Sequence, residues 1–345
     1  MKKVALVGLG YWGPKLLRNL IESPRVNGVV VVDRNVDRLA AACRQFPSAR
    51  PALNLEEALE DDDVRAVFVA TPVETHGELT RLALEAGRHV LVEKPLTAST
   101  QEAIELTRLA ESFNLRLMVG HTFLFSPRLD CIVEYLKRGA LGRVHYMTSA
   151  RLNLGLHRSD ANVIWDLAPH DFSILFHLLG ETPDTVQTVA GSANRFTLPD
   201  VAFINLTFPS GALASVTVSW LAPRKVRNTV IVGEQQMIVY DDTNSDEPVK
   251  IYDQGVIIED SNSFGENQLT YRYGDTIAPH VVAAEPLGLE IDHFLQRIDD
   301  DEPLKSDGWF GASIVAALEA AHRSWELGGV KVDVPSEELH GDRHR

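Results

Sequence analysis

A glycine-rich turn near the N-terminus constrains the fold more than any other feature of the sequence. Gly8, Gly10 and Gly13 follow the β-branched run 4–7 and precede residues 12–21, whose apolar positions have helical spacing. In a G-x-G-x-x-G turn the first glycine allows the bend, the second admits a ligand to the backbone, and the third lets helix and strand pack closely. The helix N-terminus then presents unpaired N–H groups to a phosphate. The pattern predicts a dinucleotide site.

An acidic residue at the end of the second predicted strand extends this prediction. Asp33 lies about 20 residues after Gly13, where its carboxylate could accept hydrogen bonds from a ribose diol and repel a 2′-phosphate. This favours NAD. NADP stays open because Arg34 could pair with a 2′-phosphate if Asp33 turned away, although Arg34 is equally explained as a solvated residue at a helix start. The predicted cofactor contacts here are Gly8, Leu9, Gly10, Tyr11, Trp12, Gly13, Asp33 and Arg34.

The first 120 residues alternate short β-branched runs with amphipathic helical patterns. Strands are predicted at 4–7, 29–33, 66–70, 89–92 and 116–119, and helices at 12–21, 36–45, 78–86 and 101–113. Such alternation is typical of parallel strands joined by crossover helices. Residues 1–120 are therefore predicted to form an α/β domain with a doubly wound parallel sheet, the Rossmann architecture.

The pattern changes after Gly120. Helices are predicted at 128–137, 170–179, 286–298 and 311–327, and strands at 143–150, 185–190, 201–208, 212–219, 229–232, 236–240, 249–252 and 330–334. The short turns at 209–211 and 233–234 favour hairpins and an antiparallel sheet. Residues 121–336 are therefore predicted to form an α+β domain, followed by a polar tail at 337–345.

The charge balance excludes several classes of partner. The formal net charge of −15 would repel a polyphosphate backbone, which argues against nucleic acid and against an anionic membrane surface. No apolar run is long enough to cross a bilayer, and the N-terminal apolar stretch stops at the glycine turn before any signal-peptide cleavage site. The only cysteines, Cys43 and Cys131, lack the spacing of a metal pair and suit a reducing compartment. We expect a cytoplasmic protein without a metal.

Two groups of polar residues are candidates for chemistry. Lys94 follows the strand 89–92, at a carboxyl strand end where open α/β sheets bind ligands, although a surface lysine would also fit there. Asp166 precedes His170 by four residues, which suits one helix face, and a histidine can accept a proton near neutral pH. Because Pro169 favours a helix start near His170, Asp166 could instead lie on the entering turn. The structural alternative is that Asp166 or Asp171 merely caps the helix, while His170 only fills space.

These groups resemble, in order and spacing, the Gfo/Idh/MocA oxidoreductase family over nearly the whole chain. The residues that carry the resemblance are Gly8–Gly13, Thr71-Pro72 with His76 beyond it, Glu93-Lys94-Pro95, and Asp166 with His170. The family combines a Rossmann domain with an α+β domain whose large open sheet often forms a dimer or tetramer interface. The resemblance implies the same architecture and a homodimer or homotetramer.

The resemblance also implies roles for individual residues. In the family these side chains surround the reacting carbon, and the histidine, or in some members the lysine, is the acid or base. His170 is therefore expected to be the base, supported by Asp166, with Lys94 polarising the oxygen. Thr71, Pro72 and His76 match a loop that runs beneath the nicotinamide, although they could simply begin the next helix. Glu93 is expected to tether the ammonium of Lys94 or the ribose.

One segment departs from the family pattern. Many members read G-F-N-R-R-F where this chain reads Gly120-His121-Thr122-Phe123-Leu124-Phe125, so both arginines are absent. Substrate contacts made by them elsewhere must come from other residues here. The candidates are His121, Arg151, Asn153, His157, Arg158, Lys225 and Arg227, in addition to Lys94, Asp166 and His170. The basic members would suit a diphosphate, although exposed arginines at strand ends are the commoner explanation.

The segments Tyr11-Trp12-Gly13-Pro14 and 165–171 resemble a branch of the family that acts on hexoses or nucleotide-activated hexoses. The resemblance implies an NAD(P)-dependent dehydrogenase that oxidises a secondary hydroxyl, at C3, of a UDP-glucose or UDP-N-acetylglucosamine type of substrate to a keto sugar. Three alternatives stay open: an inositol or other polyol dehydrogenase, a sugar–sugar oxidoreductase that retains its cofactor, and a non-enzymatic regulator of the same fold.

Overall fold

The computed structural model describes residues 2–155, 162–193, 198–259, 268–300, 302–335 and 339. The chain forms two compact units. The first contains Met1–Phe125, Ala284–Ala316 and Glu337–Arg345, and the second contains Ser126–Ala283 and Ala317–Ser336. The chain therefore returns to the first unit late in the sequence, unlike the predicted single boundary after residue 120.

The helices and strands follow in chain order. The helices are α1 (Gly13–Glu22), α2 (Val36–Gln45), α3 (Leu55–Leu59), α4 (His76–Glu85), α5 (Thr100–Ser112), α6 (Pro127–Lys137), α7 (Val163–Leu179), α8 (Pro286–Arg297) and α9 (Gly308–Glu326). The strands are β1 (Lys2–Val7), β2 (Val26–Val32), β3 (Ala49–Ala52), β4 (Val64–Val69), β5 (His89–Glu93), β6 (Leu117–Gly120), β7 (Val144–Leu152), β8 (Thr185–Gly191), β9 (Val201–Thr207), β10 (Leu213–Ser219), β11 (Val226–Gly233), β12 (Met237–Asp241), β13 (Val249–Glu259), β14 (Gln268–Ile277) and β15 (Val332–Asp333). Short 3-10 helices occupy Val73–Thr75 and Thr122–Phe125.

The first unit contains a parallel sheet that, over the described residues, has the strand order β3-β2-β1-β4-β5-β6. This confirms the predicted doubly wound α/β fold. The order reverses between β1 and β4, and ligands bind outside the carboxyl ends of strands at such a switch point. Gly8, Thr71, Lys94 and His121 follow β1, β4, β5 and β6 in the sequence, so the topology brings them to one edge of the sheet.

The return of the chain to the first unit has a packing reason. Helix α8 buries four apolar side chains, namely Leu287, Ile291, Phe294 and Leu295. The ring of Phe294 packs edge-on against Phe68 of β4, with a centroid distance of 5.5 Å. Because burial of an aromatic side chain stabilises a fold by about 2 kcal/mol or more, α8 is part of the core of the first unit.

The second unit contains a mixed sheet whose order over the described residues is β14-β13-β12-β11-β7-β10-β9-β8-β15. Its named pairs are antiparallel except β7 with β10, which confirms the predicted open, mainly antiparallel sheet. Helix α7 packs against β7, β9 and β10. Along β9, Ala202, Ile204 and Leu206 are buried whereas Phe203 is half exposed, so one face of the sheet is covered and the other is open.

Helix α7 begins at Val163, seven residues before the predicted start at His170. The side chain of Asn162 caps it by accepting hydrogen bonds from the backbone N–H groups of Ile164 and Trp165. Pro169 lies inside the helix, where a proline ordinarily costs about 3 kcal/mol. Burial of Val163 and Ile164, together with the Asn162 cap, offsets that cost. The helix start predicted from Pro169 was therefore wrong.

The edge strand β3 and the strand β14 were not predicted from the sequence. Strand β3 reads Ala-Arg-Pro-Ala and has no β-branched residue, yet it pairs with β2 at the sheet edge, where Pro51 is tolerated.

Within the described ranges, no helix combines the length and the apolar character needed to cross a membrane.

Candidate active site

The glycine turn has the geometry that a bound pyrophosphate needs. Gly8 has a φ of +98°, and a Cβ placed on it would lie 2.5 Å from the carbonyl oxygen of Ala70. A Cβ on Gly13 would lie 2.0 Å from the carbonyl oxygen of Gly8. Around Gly10, by contrast, the described residues leave open space for 4 Å beyond its chain neighbours. Two glycines are therefore required by the fold, and the middle one keeps the surface open to a ligand.

Two aromatic residues and a lysine surround this turn. The ring of Tyr11 is exposed and stacks on Trp12 at a centroid distance of 6.4 Å. The ammonium of Lys15 lies 3.8 Å from the centroid of the Tyr11 ring and 4.3 Å from that of Trp12. A positive charge in the first turn of α1 favours a phosphate group. Lys15 was not predicted, because only its contact with the two rings reveals its position.

Asp33 is held in a fixed orientation at the end of β2. Its Oδ2 accepts the backbone N–H of Leu9 at 2.7 Å, and its Oδ1 accepts that of Asn35 at 2.8 Å. Each carboxylate oxygen can accept a second hydrogen bond, so both can still accept a ribose hydroxyl. Arg34 is exposed, and Arg38, which was not predicted, lies 3.8 Å from Asp33 Oδ2. Together with the open turn at Gly10, Asp33 fits the adenosine ribose of a dinucleotide.

His76 braces two loops, and both of its ring nitrogens have backbone partners. It is 1% exposed, and its ring nitrogens lie 2.9 Å from the carbonyl oxygens of Thr71 and Pro95. Burial lowers the pKa of His76, while its contacts with both carbonyls oppose this change. His76 therefore ties the Thr71-Pro72 turn to the segment after Lys94. The expected position beneath the nicotinamide suits Thr71 and Pro72 better than the buried imidazole.

Glu93 and Lys94 occupy the carboxyl end of β5. The Lys94–Pro95 peptide bond is cis, and Lys94 is partly buried. Burial raises the pKa of Glu93 to about 7, whereas the charge and then the backbone N–H of Lys94 lower it. The positive charge of Lys94 therefore favours the ionised form of Glu93.

His121, which replaces the usual Phe of the family pattern, is a buried neutral side chain. It is 1% exposed, and burial together with the charge of Lys94 lowers its pKa to about 3. Its ring packs edge-on against Phe310, and neither ring nitrogen has a hydrogen-bond partner among the described residues. Since buried polar atoms normally have partners, these nitrogens are candidates to contact a bound ligand.

Asp166 and His170 lie one turn apart on the same face of α7, both partly buried. Of the two arrangements that the sequence allowed, the shared helix face is the one observed. The indole N–H of Trp220 donates to Oδ2 of Asp166 at 3.0 Å and orients the carboxylate. Asn162, and neither aspartate, caps the helix. Trp220 was missed because nothing in its local sequence pattern connects it with α7.

The remaining substrate candidates occupy different environments. Arg151 is buried and forms an ion pair with Asp171, with 2.8 Å between Nε and Oδ2, which accounts for its burial without a substrate. Arg227 bonds Asp242 at 3.2 Å. Asn153 and Lys225 are exposed. The candidates His157 and Arg158 lie outside the described residues.

Family models match both parts of the chain. Residues 2–121 match "Oxidoreductase family, NAD-binding Rossmann fold" of the Gfo/Idh/MocA family, and residues 132–239 match the Gfo/Idh/MocA C-terminal domain. Together the two matches span most of both units. They identify the glycine turn and Asp33 as parts of an NAD-binding domain.

Three relatives show which proteins the chain is similar to. The UDP-N-acetylglucosamine 3-dehydrogenase of Acidithiobacillus ferrooxidans is 28% identical over 321 residues, which cover 91% of this chain and 94% of the relative. The scyllo-inositol 2-dehydrogenase (NAD(+)) of Bacillus subtilis is 26% identical, covering 69% of this chain and 73% of the relative. The crystal structure of GenD2 from gentamicin A biosynthesis, in complex with NAD, has a TM-score of 0.81 at 27% identity and covers 96% of both chains.

The two family matches contain the candidate site residues. The glycine turn, Asp33 and Lys94 lie within residues 2–121, and Asp166 and His170 lie within residues 132–239. The two matched models cover an NAD-binding domain and the C-terminal domain that accompanies it. The chain therefore belongs to the Gfo/Idh/MocA oxidoreductase family, with an NAD-binding Rossmann domain at its N-terminus.

Proposed function

We propose that this oxidoreductase is an NAD-dependent dehydrogenase that converts a secondary hydroxyl of a nucleotide-activated hexose, at C3 of a UDP-glucose or UDP-N-acetylglucosamine type of substrate, to a ketone. The observation that carries the proposal is the pair Asp166 and His170 on one face of α7, with Trp220 orienting the carboxylate. A histidine supported by a carboxylate is suited to accept the hydroxyl proton. The similarity to a UDP-N-acetylglucosamine 3-dehydrogenase supports the substrate class.

The proposed reaction assigns one task to each side chain. NAD, when bound, accepts the hydride from the reacting carbon. His170 accepts the hydroxyl proton, and Asp166 stabilises the imidazolium that results. The ammonium of Lys94 stabilises the negative charge that develops on the substrate oxygen as the C–H bond breaks. The bonds that break are C–H and O–H, and the bond order between carbon and oxygen rises from one to two.

NAD is preferred to NADP in this proposal because Asp33 is fixed. Its two hydrogen bonds to backbone N–H groups hold the carboxylate where a 2′-phosphate would meet a negative charge. Pairing of Arg34 with that phosphate would require Asp33 to turn away and break both bonds. For the substrate, Lys225 and Arg227 are candidates to contact a diphosphate, and His121 is a candidate to contact a sugar hydroxyl.

A substrate screen tests this function. UDP-glucose, UDP-N-acetylglucosamine, free hexoses and inositols are each incubated with NAD, and NADH formation is followed by absorbance. We expect the highest kcat/KM with a UDP-hexose, and a loss of about 10²-fold or more in His170→Ala because the general base is removed. Full turnover in His170→Ala would remove His170 from its role, and faster oxidation of inositol would select the polyol dehydrogenase.

Two further outcomes separate the remaining alternatives. A sugar–sugar oxidoreductase would keep its nucleotide through gel filtration, and its turnover would need a second sugar in place of added NAD. A regulator would form no NADH with any substrate, and the double variant Lys94→Ala with His170→Ala would leave its partner binding unchanged. Two measurements therefore accompany the screen. One is whether the wild type retains its cofactor, and the other is whether the double variant still binds its partner.

We further propose that a second copy of this chain covers the open face of the sheet in the second unit. The face carries four exposed apolar side chains on neighbouring strands: Tyr146, Val189, Phe203 and Leu213. The strand register places them on one side, since Val189 is opposite Phe203 and Leu213 is opposite Tyr146. A patch of this kind marks an interaction surface.

We also infer that the enzyme works in the cytoplasm, where the free thiols of Cys43 and Cys131 stay reduced.

Replacing Phe203 with aspartate should dissociate the oligomer. The side chain is 50% exposed, and a charge there would be buried without a partner in a symmetric interface. Light scattering should give a dimer or tetramer for the wild type and a single chain of 38.2 kDa for Phe203→Asp. The control Val36→Asp alters an exposed apolar residue of the first unit and should leave the mass unchanged. A monomeric wild type, or an oligomeric Phe203→Asp, contradicts the assignment.

A further inference from the structure

A buried ion pair joins helix α7 to strand β7, directly after His170 in the sequence. Asp171 and Arg151 are 2% and 6% exposed. Oδ2 of Asp171 accepts a hydrogen bond from Nε of Arg151 at 2.8 Å, and its Oδ1 accepts one from Nη2 of the same guanidinium at 3.4 Å. Oδ1 also accepts from the hydroxyl of Ser149 at 2.7 Å. Side chains of β7 therefore hold both oxygens of the carboxylate.

Stability alone does not explain why two charges are buried here. Taking a carboxylate and a guanidinium out of water is costly, and their attraction in the interior only roughly offsets that cost. Apolar side chains of similar volume often stabilise a fold equally well or better. A bidentate pair adds direction, because the planar guanidinium fixes the carboxylate in both distance and angle. The ion pair is therefore suited to hold one part of α7 at a set position on the sheet.

Helix α7 needs such a hold because its own hydrogen bonds are interrupted beside His170. Pro169 lies inside the helix and has no N–H to donate to the carbonyl of Trp165. Helices bend most readily at such positions. Asp166 lies before the interruption and His170 after it, so the weakest point of the helix lies between them. Asp171 is on the same side of the interruption as His170.

The sheet contacts α7 on both sides of this interruption. Before Pro169, the indole of Trp220 donates to the carboxylate of Asp166. After Pro169, the guanidinium of Arg151 binds Asp171. Arg151 lies near the end of β7, and Trp220 directly follows β10, which runs parallel to β7 in matching register. The two contacts therefore come from the same end of two neighbouring strands.

We propose that Asp171 and Arg151 are positioning residues, which hold the segment of α7 that carries His170 on β7 and so fix its place relative to Asp166. The assignment rests on the proposed function only in giving His170 the role of the base. A misplacement of about 1 Å can lower a rate by about 10²-fold. A small tilt of the helix after Pro169 would therefore separate the imidazole from the proton that it accepts. Arg151, a substrate candidate from the sequence, acts on the reaction without contacting the substrate.

A double variant separates positioning from stability. Arg151→Met with Asp171→Leu replaces the ion pair by apolar side chains of similar volume, and its unfolding temperature should equal that of the wild type or exceed it. Because apolar contacts lack the direction of the ion pair, kcat should still fall by about 10- to 10²-fold, with a change in KM for NAD of less than about threefold. Thermal unfolding and steady-state kinetics with the substrate from the screen measure these quantities. An unchanged kcat would overturn the positioning role.

Arg151→Lys tests the same role with the charge kept, and it also serves if the double variant does not fold. An ammonium can pair with Asp171 but cannot reproduce the planar fork of the guanidinium. We expect kcat to fall at least about threefold. As a control, Asp253→Asn removes the carboxylate from the ion pair with Arg272 in β14, which β11 and β12 separate from β7, and kcat should not change. A wild-type kcat in Arg151→Lys would show that charge without direction is sufficient, contrary to the proposal.

Amide hydrogen exchange, followed by mass spectrometry of peptides, tests the contact without a substrate. In the double variant and in Arg151→Lys, the amides of α7 after Pro169 should exchange faster than in the wild type, by about tenfold or more in the double variant, because directional hydrogen bonds to β7 are lost. The amides of α5 should exchange as in the wild type. Unchanged exchange in α7 would overturn the proposal whatever the substrate screen finds. Faster exchange in a protein that oxidises no sugar would keep the contact and reject only the proposed function.

Discussion

Replacing Lys94 with methionine is expected to lower kcat by about 10²- to 10³-fold, the usual effect of removing one group that stabilises transition-state charge. Methionine keeps most of the length and volume of the side chain but lacks the ammonium. Because the proposed contacts with NAD lie mainly in the glycine turn and at Asp33, the affinity for NAD should change by less than about tenfold, or 1.4 kcal/mol. Steady-state kinetics with the substrate found by the screen, together with a fluorescence titration of NAD, measure both quantities.

A matched control and a double variant sharpen this test. Lys137→Met replaces an exposed lysine of α6 and should leave kcat unchanged. If Lys94 and His170 act in the same step, the loss in Lys94→Met with His170→Ala should be smaller than the product of the two single losses, since residues that act as a unit are strongly non-additive. A normal kcat in Lys94→Met would exclude its electrophilic role. Strictly multiplicative losses would assign the two residues to independent steps.

Two alanine substitutions in the glycine turn should distinguish a residue needed for folding from a residue needed for cofactor binding. Gly13→Ala places a Cβ 2.0 Å from the carbonyl oxygen of Gly8, a backbone clash that should lower the free energy of unfolding by about 3 kcal/mol and abolish NAD binding. Gly10→Ala meets nothing in the protein within 4 Å, so its stability should be nearly that of the wild type. Its NAD affinity should nevertheless fall at least about tenfold, because the new methyl group lies where the pyrophosphate approaches.

Thermal unfolding and NAD titration of the two variants measure these effects. Gly191→Ala, another glycine around which the described residues leave 4 Å of open space, is the control and should change neither quantity. Equal NAD affinity in Gly10→Ala and the wild type would show that the pyrophosphate does not approach the backbone there. Normal stability in Gly13→Ala would show that the turn can rearrange.

Features that depend on neighbouring residues were predictable from the sequence. The alternation of β-branched runs and helical patterns predicted the parallel sheet, and the hairpin turns at 209–211 and 233–234 predicted antiparallel pairs. The spacing of Gly8, Gly10 and Gly13 likewise predicted a tight turn, in which Gly8 and Gly13 leave no space for a side chain. These predictions succeeded because a turn, a strand period or a helix period is determined by the conformations open to a few consecutive residues.

Features that depend on distant contacts were not predictable. Helix α7 starts at Val163 although Pro169 suggested a later start, because Asn162 caps it and its first apolar residues are buried. The contact of the His76 ring with the backbone carbonyl of Pro95, beyond the next strand, has no signal in the local sequence. Trp220 reaches Asp166 from 54 residues away in the sequence.

The sequence by itself determined the family, the class of each unit and the positions of Lys94, Asp166 and His170 along the chain. Only the tertiary structure decided that Asp33 is held by two backbone N–H groups and that His121 is buried without a hydrogen-bond partner among the described residues. The physical reason is that motif spacing reflects local backbone geometry, whereas the charge state of a buried side chain depends on which distant groups exclude water from it and which supply its hydrogen bonds.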